Sequence, residues 1–192
     1  MSDPDRRLVD EARRGDDRAL AELYERHRRP LFGFLCRMLR RPEAEEVLQE
    51  VWIKVMESIE RYEPGGAGFR SWLYKVAANA ARDRIRREKL RSGPSLDAPL
   101  GEEGGEAAID RLVDSGAGPD RKTEGSLFRD ELERAMEALT PRQRAAVLLK
   151  HQQGFHYREI AEMLQMAEGT AKTTVHRGVA TLRDRLQEWF NG

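Results

Sequence analysis

Apolar residues recur three and four positions apart through most of residues 5–91 and again through 126–186. That is the period of helices which each bury one face. Gly15-Asp16-Asp17 ends a first short helix, and Ala19, Leu20, Leu23 and Tyr24 mark a second. Pro30 is expected to open a third, carrying Leu31, Phe34, Leu35, Met38 and Leu39, because proline suits a first helical turn and not an interior. Pro42 fits the start of the next, with Glu43, Glu45 and Glu46 where the helix dipole favours acids. Val47, Val51, Val55 and Ile59 then step by four and predict one buried stripe. Residues 63–68, EPGGAG, cannot continue a helix and predict a loop. A last helix begins near Phe69 or Arg70, with Trp72, Leu73, Val76, Ala77 and Ala80 on its apolar side.

The pattern stops over residues 92–125. Seven of the chain's 16 glycines and three of its eight prolines fall there, and residues 92–124 hold eight acids against three bases. Such a segment has too little apolar surface for a packed core and reads as a flexible linker, with one turn of helix expected at 107–113. Periodicity resumes after Ser126, an expected N-cap, with Phe128, Leu132, Ala135 and Leu139. Thr140-Pro141-Arg142-Gln143 is a helix start: cap, proline in the first turn, and a glutamine to close the capping box. That helix runs to about Gln152 and ends at Gly154. Tyr157, Ile160, Ala161 and Leu164 line one further helix, residues 166–169 form a break, and Ala171, Val175, Val179, Leu182 and Leu186 line another. The fold predicted is all-α: two small helical domains joined by a flexible acidic linker, the C-terminal one with a helix-turn-helix.

Composition changes this picture little, and charge changes it more. Lys and Arg together number 34, as do Asp and Glu, so net charge argues for no partner. The charges are nevertheless segregated. Residues 61–91 hold nine bases against three acids, while 43–60 hold six glutamates and only Lys54. A chain facing both a polyanion and a basic partner needs such blocks. A single cysteine, Cys36, excludes an internal disulfide and suits a reducing cytoplasm. The first residues are charged and lack the apolar core of a signal peptide, and no apolar run approaches the roughly 20 residues that cross a membrane.

Two stretches carry candidate chemistry. In HYREIAEMLQMAEGTAKTTVHR, the second helix presents Lys172, Thr173, His176 and Arg177 outward from its N-terminal half. Helix-turn-helix proteins read base edges from that half, although outward charge on a bundle helix can also be mere solvation. In residues 61–87, Tyr62, Phe69, Trp72 and Tyr74 are interleaved with Arg70, Lys75, Arg82, Arg86 and Arg87. Aromatic rings beside a cationic track hold single-stranded nucleic acid. Taken singly, each ring reads more readily as core than as a stacking face; the glycine-rich loop before them favours docking.

Four blocks, in order, resemble the extracytoplasmic-function class of bacterial RNA polymerase sigma factors. LVDEARRGDDRALAELYERH resembles the opening of its first domain, region two, and AEEVLQEVWIKVMESI the segment that binds the clamp helices of the polymerase. FRSWLYKVAANAARDRIRR resembles the promoter-melting segment, and residues 139–186 the last domain, region four. The resemblance implies three domains of action: 5–91 as region two, 92–125 as linker and 126–190 as region four. It implies that Glu46, Leu48, Gln49, Glu50 and Trp52 bind core polymerase. Phe69, Arg70, Trp72, Lys75, Asn79, Arg82 and Arg86 would engage the minus-ten element, with a base captured in the loop before Phe69. Arg158, Gly169, Thr170, Lys172, Thr173, His176 and Arg177 would read the minus-thirty-five element.

The implied protein directs core polymerase to promoters and assists melting, in the cytoplasm, with promoter DNA and an anti-sigma factor as further partners. It requires no catalytic residue and no cofactor. His156 and Ala167 stand at helix starts where the family often has Ser, Ala78 where an Arg that touches phosphate is frequent, and Gly178 lies inside the second helix of the pair. Helix glycine costs about 1 kcal/mol relative to alanine unless it serves a close approach. The acidic linker, with Glu102, Glu103 and Glu106, is expected to mimic nucleic acid in a basic channel of the polymerase. Cys36, His27, His151, His156 and His176 show no metal-ligand spacing, and no phosphate-binding glycine motif is present. The competing expectation is a stand-alone helix-turn-helix regulator with an N-terminal sensing bundle.

Overall fold

A computed structural model of the chain describes residues 4–63, 68–91 and 124–187, and among these every regular element is helical. The chain divides into two units, Met1–Pro94 and Ser95–Gly192. The expected turn of helix at 107–113, the acidic linker with Glu102, Glu103 and Glu106, and the tip of the 63–68 loop lie outside the described residues.

The first unit holds α1 (Arg6–Ala12), α2 (Asp17–Met38), α3 (Arg41–Ser58) and α4 (Gly68–Arg91). Gly15 turns the chain at φ +87°, and Asp16 caps α2 by accepting from the Arg18 and Ala19 amides at 2.8 and 3.3 Å. Pro30 does not open a helix; it lies inside α2. The reason is a stripe that keeps phase across it: Leu23, His27, Leu31, Phe34, Leu35 and Met38 are all buried. Pro30 itself is exposed, so the Arg26 carbonyl that it deprives of a partner can turn to water. Val47, Val51, Val55 and Ile59 form the expected buried line, Ile59 from a 3₁₀ turn that ends α3. α2 packs on α1, α3 and α4, and α3 packs on α4.

Among the described residues of this unit, Asp5, His27 and Ser71 are buried polar side chains. Asp5 receives the Arg26 guanidinium at 2.7 Å on one oxygen and pairs with His27 Nε2 at 2.7 Å on the other. Burial alone pushes the Asp5 carboxyl up, but the hydrogen bonds and charges of His27 and Arg26 outweigh it and hold the group below its ordinary range. The His27 ring lies tilted against Phe69, centroids 5.6 Å apart, so the pair ties the start of α1 to the first turn of α4.

The second unit holds α5 (Glu124–Glu137), α6 (Pro141–Val147), α7 (Tyr157–Leu164) and α8 (Glu168–Arg185). Ser126 lies within α5 and is not its cap. The Thr140–Gln143 capping box is formed, at 3.2 and 3.0 Å. α6 runs on into a π-helical stretch, Leu148–Gln152, before Gly154 turns the chain at φ +71°. α8 packs on α5, α6 and α7.

Candidate functional site

α7 and α8 form the expected helix-turn-helix. Its turn is tighter than the sequence suggests: α7 ends at Leu164, Gln165 adopts the left-handed conformation at φ +52°, and α8 starts at Glu168. Arg142 reaches from α6 to the orphan carbonyls at that end, donating to Leu164 at 3.0 Å and Gln165 at 3.3 Å. His156 brings no cap of its own, yet Glu159 accepts its amide at 2.8 Å. Ala167 leaves α8 without a side-chain cap. Gly178 supports a close helix crossing: a Cβ there would lie 2.6 Å from Val147 Cγ2.

Ala171, Val175, Gly178, Val179 and Leu182 are buried, which turns the other side of α8 outward. Gly169, Thr170, Lys172 and Thr173 are exposed on that side, and His176 and Arg177 are half-buried along it. Arg158 is exposed on α7, 3.7 Å from Glu162 in a solvated pair. Sequence reasoning missed Lys150. Its ammonium sits 4.8 Å from the Tyr157 ring centroid, and that ring faces His176 at 6.4 Å, so Lys150 joins this basic face from the π-helical stretch. No sequence signal gave it, because a π-helical turn shifts the register of everything that follows.

On α4 the expected residues divide. Trp72, Lys75, Asn79, Arg82 and Arg86 recur at helical spacing on one strip, half-buried except for Arg86, which is exposed and meets Asp83 at 3.1 Å. Phe69 is not on that strip; it is fully buried and cannot stack on a base in this conformation. With Tyr62, 4.7 Å from the Trp72 centroid, and Phe69, 5.8 Å from it, the core supplies a rigid bed for the Trp72 indole. Arg70 lies on another side, its guanidinium 5.4 Å from the Tyr74 centroid. Tyr74 is buried and so offers no stacking face; the same burial pushes its phenol up, against the nearby charge of Arg70. Ala78 is also buried, so the position where the family often has a phosphate-touching arginine belongs to the core here.

On α3, Glu46 and Gln49 are exposed, and Leu48 and Glu50 half-buried. Trp52 is only 5% exposed and packs edge-on against Tyr24 at 5.0 Å, so it props the helix from beneath. The outward apolar groups are Ile53 and Met56, 49% and 51% exposed, one and two turns beyond Gln49. Their spacing was legible, but the stepped valines drew attention to the opposite face. Among the described residues no group of three His, Cys, Asp or Glu could hold a metal ion, and no helix is long and apolar enough to cross a membrane.

An all-helical pair of units, one with an aromatic and cationic strip and the other with a basic helix-turn-helix, defines a DNA-engaging transcription protein. Comparison with known proteins narrows this. The family models for sigma-70 region 2 and sigma-70 region 4 match residues 23–91 and 129–182. The RNA polymerase sigma factor CarQ of Myxococcus xanthus is 36% identical over 177 residues, spanning 92% of this chain and 94% of that one. The ECF RNA polymerase sigma factor SigW of Bacillus subtilis is 27% identical, spanning 95% and 97%. Among solved structures, CnrH in complex with the cytosolic domain of CnrY has the same fold, with a TM-score of 0.70 and 19% identity over 97% of this chain and 99% of that one. The chain belongs to the sigma-70 family, in its extracytoplasmic-function class, and is a sigma factor that directs RNA polymerase to promoters. Both family matches disfavour the stand-alone regulator.

Proposed function

We propose a division of labour within that function. Residues 5–91 bind core polymerase and engage the minus-ten element, residues 92–125 tether, and residues 126–190 read the minus-thirty-five element. On α3, Glu46, Gln49, Glu50 and the edge of Leu48 meet the polymerase together with Ile53 and Met56, while Trp52 holds the helix in place. Two bare apolar side chains amid glutamates suit a partner with apolar and basic groups.

On α4, Trp72, Lys75, Asn79, Arg82 and Arg86 form the minus-ten surface, with Phe69 and Arg70 acting through the rings that they pack against. Taking a base out of the duplex stack costs on the order of a few kcal/mol, which an aromatic face and phosphate contacts offset. On the second unit, Arg158, Gly169, Thr170, Lys172, Thr173, His176 and Arg177 face the minus-thirty-five duplex, joined by Lys150. The chain itself carries no catalysis and no cofactor; the polymerase does the chemistry, in the cytoplasm. CnrH was solved with the cytosolic domain of CnrY, and RpoE of Bartonella quintana, of similar fold with a TM-score of 0.61, with the anti-sigma factor NepR. An anti-sigma protein is proposed as a partner here by that analogy.

The observation that carries the promoter reading is the half-exposed Trp72, seated on buried Tyr62 and Phe69 at the head of a cationic strip. Permanganate reactivity of promoter thymines tests it. Trp72→Ala should bind core polymerase normally and open promoters poorly. Unchanged opening would remove Trp72 from the site.

A further inference from the structure

The outer face of α8 carries a feature that DNA binding alone does not specify. Thr173 donates its hydroxyl to the Gly169 carbonyl at 2.9 Å, the same back-bond that Thr174 makes to Thr170 at 2.7 Å. A threonine Cβ bears only a hydroxyl and a methyl beyond the backbone. With Oγ1 turned back along the helix, Cγ2 is the group left to meet a partner.

Its position matters as much. At 3.6 residues per turn, Thr173 falls near the middle of the face opposite buried Ala171, Val175 and Leu182. Gly169, one turn earlier on the same line, has open space where a side chain would stand. Ala180 follows two turns later, half-buried. Around Thr173 the midline of the outward face thus carries a hydrogen, a methyl and a methyl, while Lys172 and His176 flank it on one side and Arg177 on the other. Exposed Asp184 follows on the same line three turns later, at the far end of the helix. The flanks suit phosphates and guanine edges. In the N-terminal half of α8, the half that reads a groove, the midline has nothing to offer a polar base edge except the shared Thr173 oxygen. In the major groove the apolar group presented by a base is the C5-methyl of thymine.

We propose that Thr173 reads one thymine through its methyl group, with Gly169 letting the helix backbone come close enough for that contact. The inference rests on α8 being the helix that enters the minus-thirty-five duplex.

The test uses core polymerase with the full chain, on a template from which it initiates. Each thymine of the upstream element is replaced singly by deoxyuridine, which differs only in lacking the methyl. The wild type should lose about fourfold at one position, the worth of one buried methyl. Thr173→Val keeps the methyl and drops the hydroxyl, and whatever its overall activity it should keep the roughly fourfold deoxyuridine sensitivity at that same position. Thr173→Ser keeps the hydroxyl and drops the methyl; it should lose about the same factor and become indifferent to deoxyuridine. Wild-type indifference to every deoxyuridine overturns the proposal, and so does a deoxyuridine sensitivity that is lost in Thr173→Val and kept in Thr173→Ser. A separate arm scrambles the whole upstream element. If scrambling leaves wild-type initiation unchanged, α8 does not read that duplex at all; if scrambling harms initiation while deoxyuridine does not, only the methyl contact fails.

Discussion

Gly178 on α8 and Val147 at the end of α6 meet so closely that a methyl added at Gly178 would lie 2.6 Å from Val147 Cγ2. Val147 is itself 3% exposed and β-branched, so it cannot swing aside cheaply. Helix propensity alone would make Gly178→Ala stabilising by about 1 kcal/mol. Overpacking opposes this and is worth roughly 1–3 kcal/mol. Gly178→Ala is therefore expected to lower stability or leave no gain, and Val147→Ala in the same chain should recover part of the loss. Denaturant unfolding of the single and double variants measures the coupling. A Gly178→Ala protein more stable by the full propensity difference would contradict the crossing.

The buried Asp5–His27 pair predicts an acid-sensitive term in the stability of the first unit. The folded-state carboxyl titrates below its ordinary value of 3.8, so its contribution is complete above that value. It is lost as the pH falls through the lower, folded-state value. Asp5→Asn should lower stability by about 1–3 kcal/mol at neutral pH, leaving the buried His27 and the Arg26 guanidinium poorly matched. The gap between the two proteins should close in strong acid. Chemical unfolding at a series of pH values checks this, and a gap that widens below pH 4 would reverse the sign of the argument.

On α3 the two kinds of apolar residue separate by experiment. Trp52→Ala should cost roughly 3–5 kcal/mol of stability, as expected for a buried large aromatic side chain. Ile53→Ser and Met56→Ser should barely alter unfolding and yet weaken co-purification with core polymerase. Charge reversal at Glu50 should weaken it too. Undiminished co-purification with Ile53 and Met56 both changed would move the polymerase contact elsewhere.

Lys150 and Arg177 should fail in different ways. A lysine that meets phosphate lowers binding on every promoter and reduces the salt slope by about one unit when removed, the expectation for Lys150→Ala. Arg177→Ala should cost about 1–3 kcal/mol and relax sequence preference at one position. Salt titrations of holoenzyme binding on several promoters distinguish the two, and a uniform loss for both would make Arg177 a phosphate contact.

Much of this architecture could be read from residue spacing. The valine steps of α3, the Thr140 capping box and the inner face of α8 need only helical periodicity and local cap chemistry. Pro30 misled because a proline signals a helix start locally, while the buried stripe that overrides it runs through a polar residue, His27. The site was less legible. Phe69, Trp72 and Tyr74 look alike in sequence, and only packing against Tyr62, His27 and Phe34 decides that Trp72 stays half-exposed. Ile53 and Met56 are missed by the same logic, since an apolar residue on a helix counts as core until its neighbours are known.

Run-off transcription on a genomic promoter library, with core polymerase in the presence and absence of this chain, tests the central claim most directly. The account predicts discrete start sites that appear only when the chain is added, and that weaken together when Trp72 and Arg177 are replaced. Initiation that is the same with and without the chain on every template would contradict it.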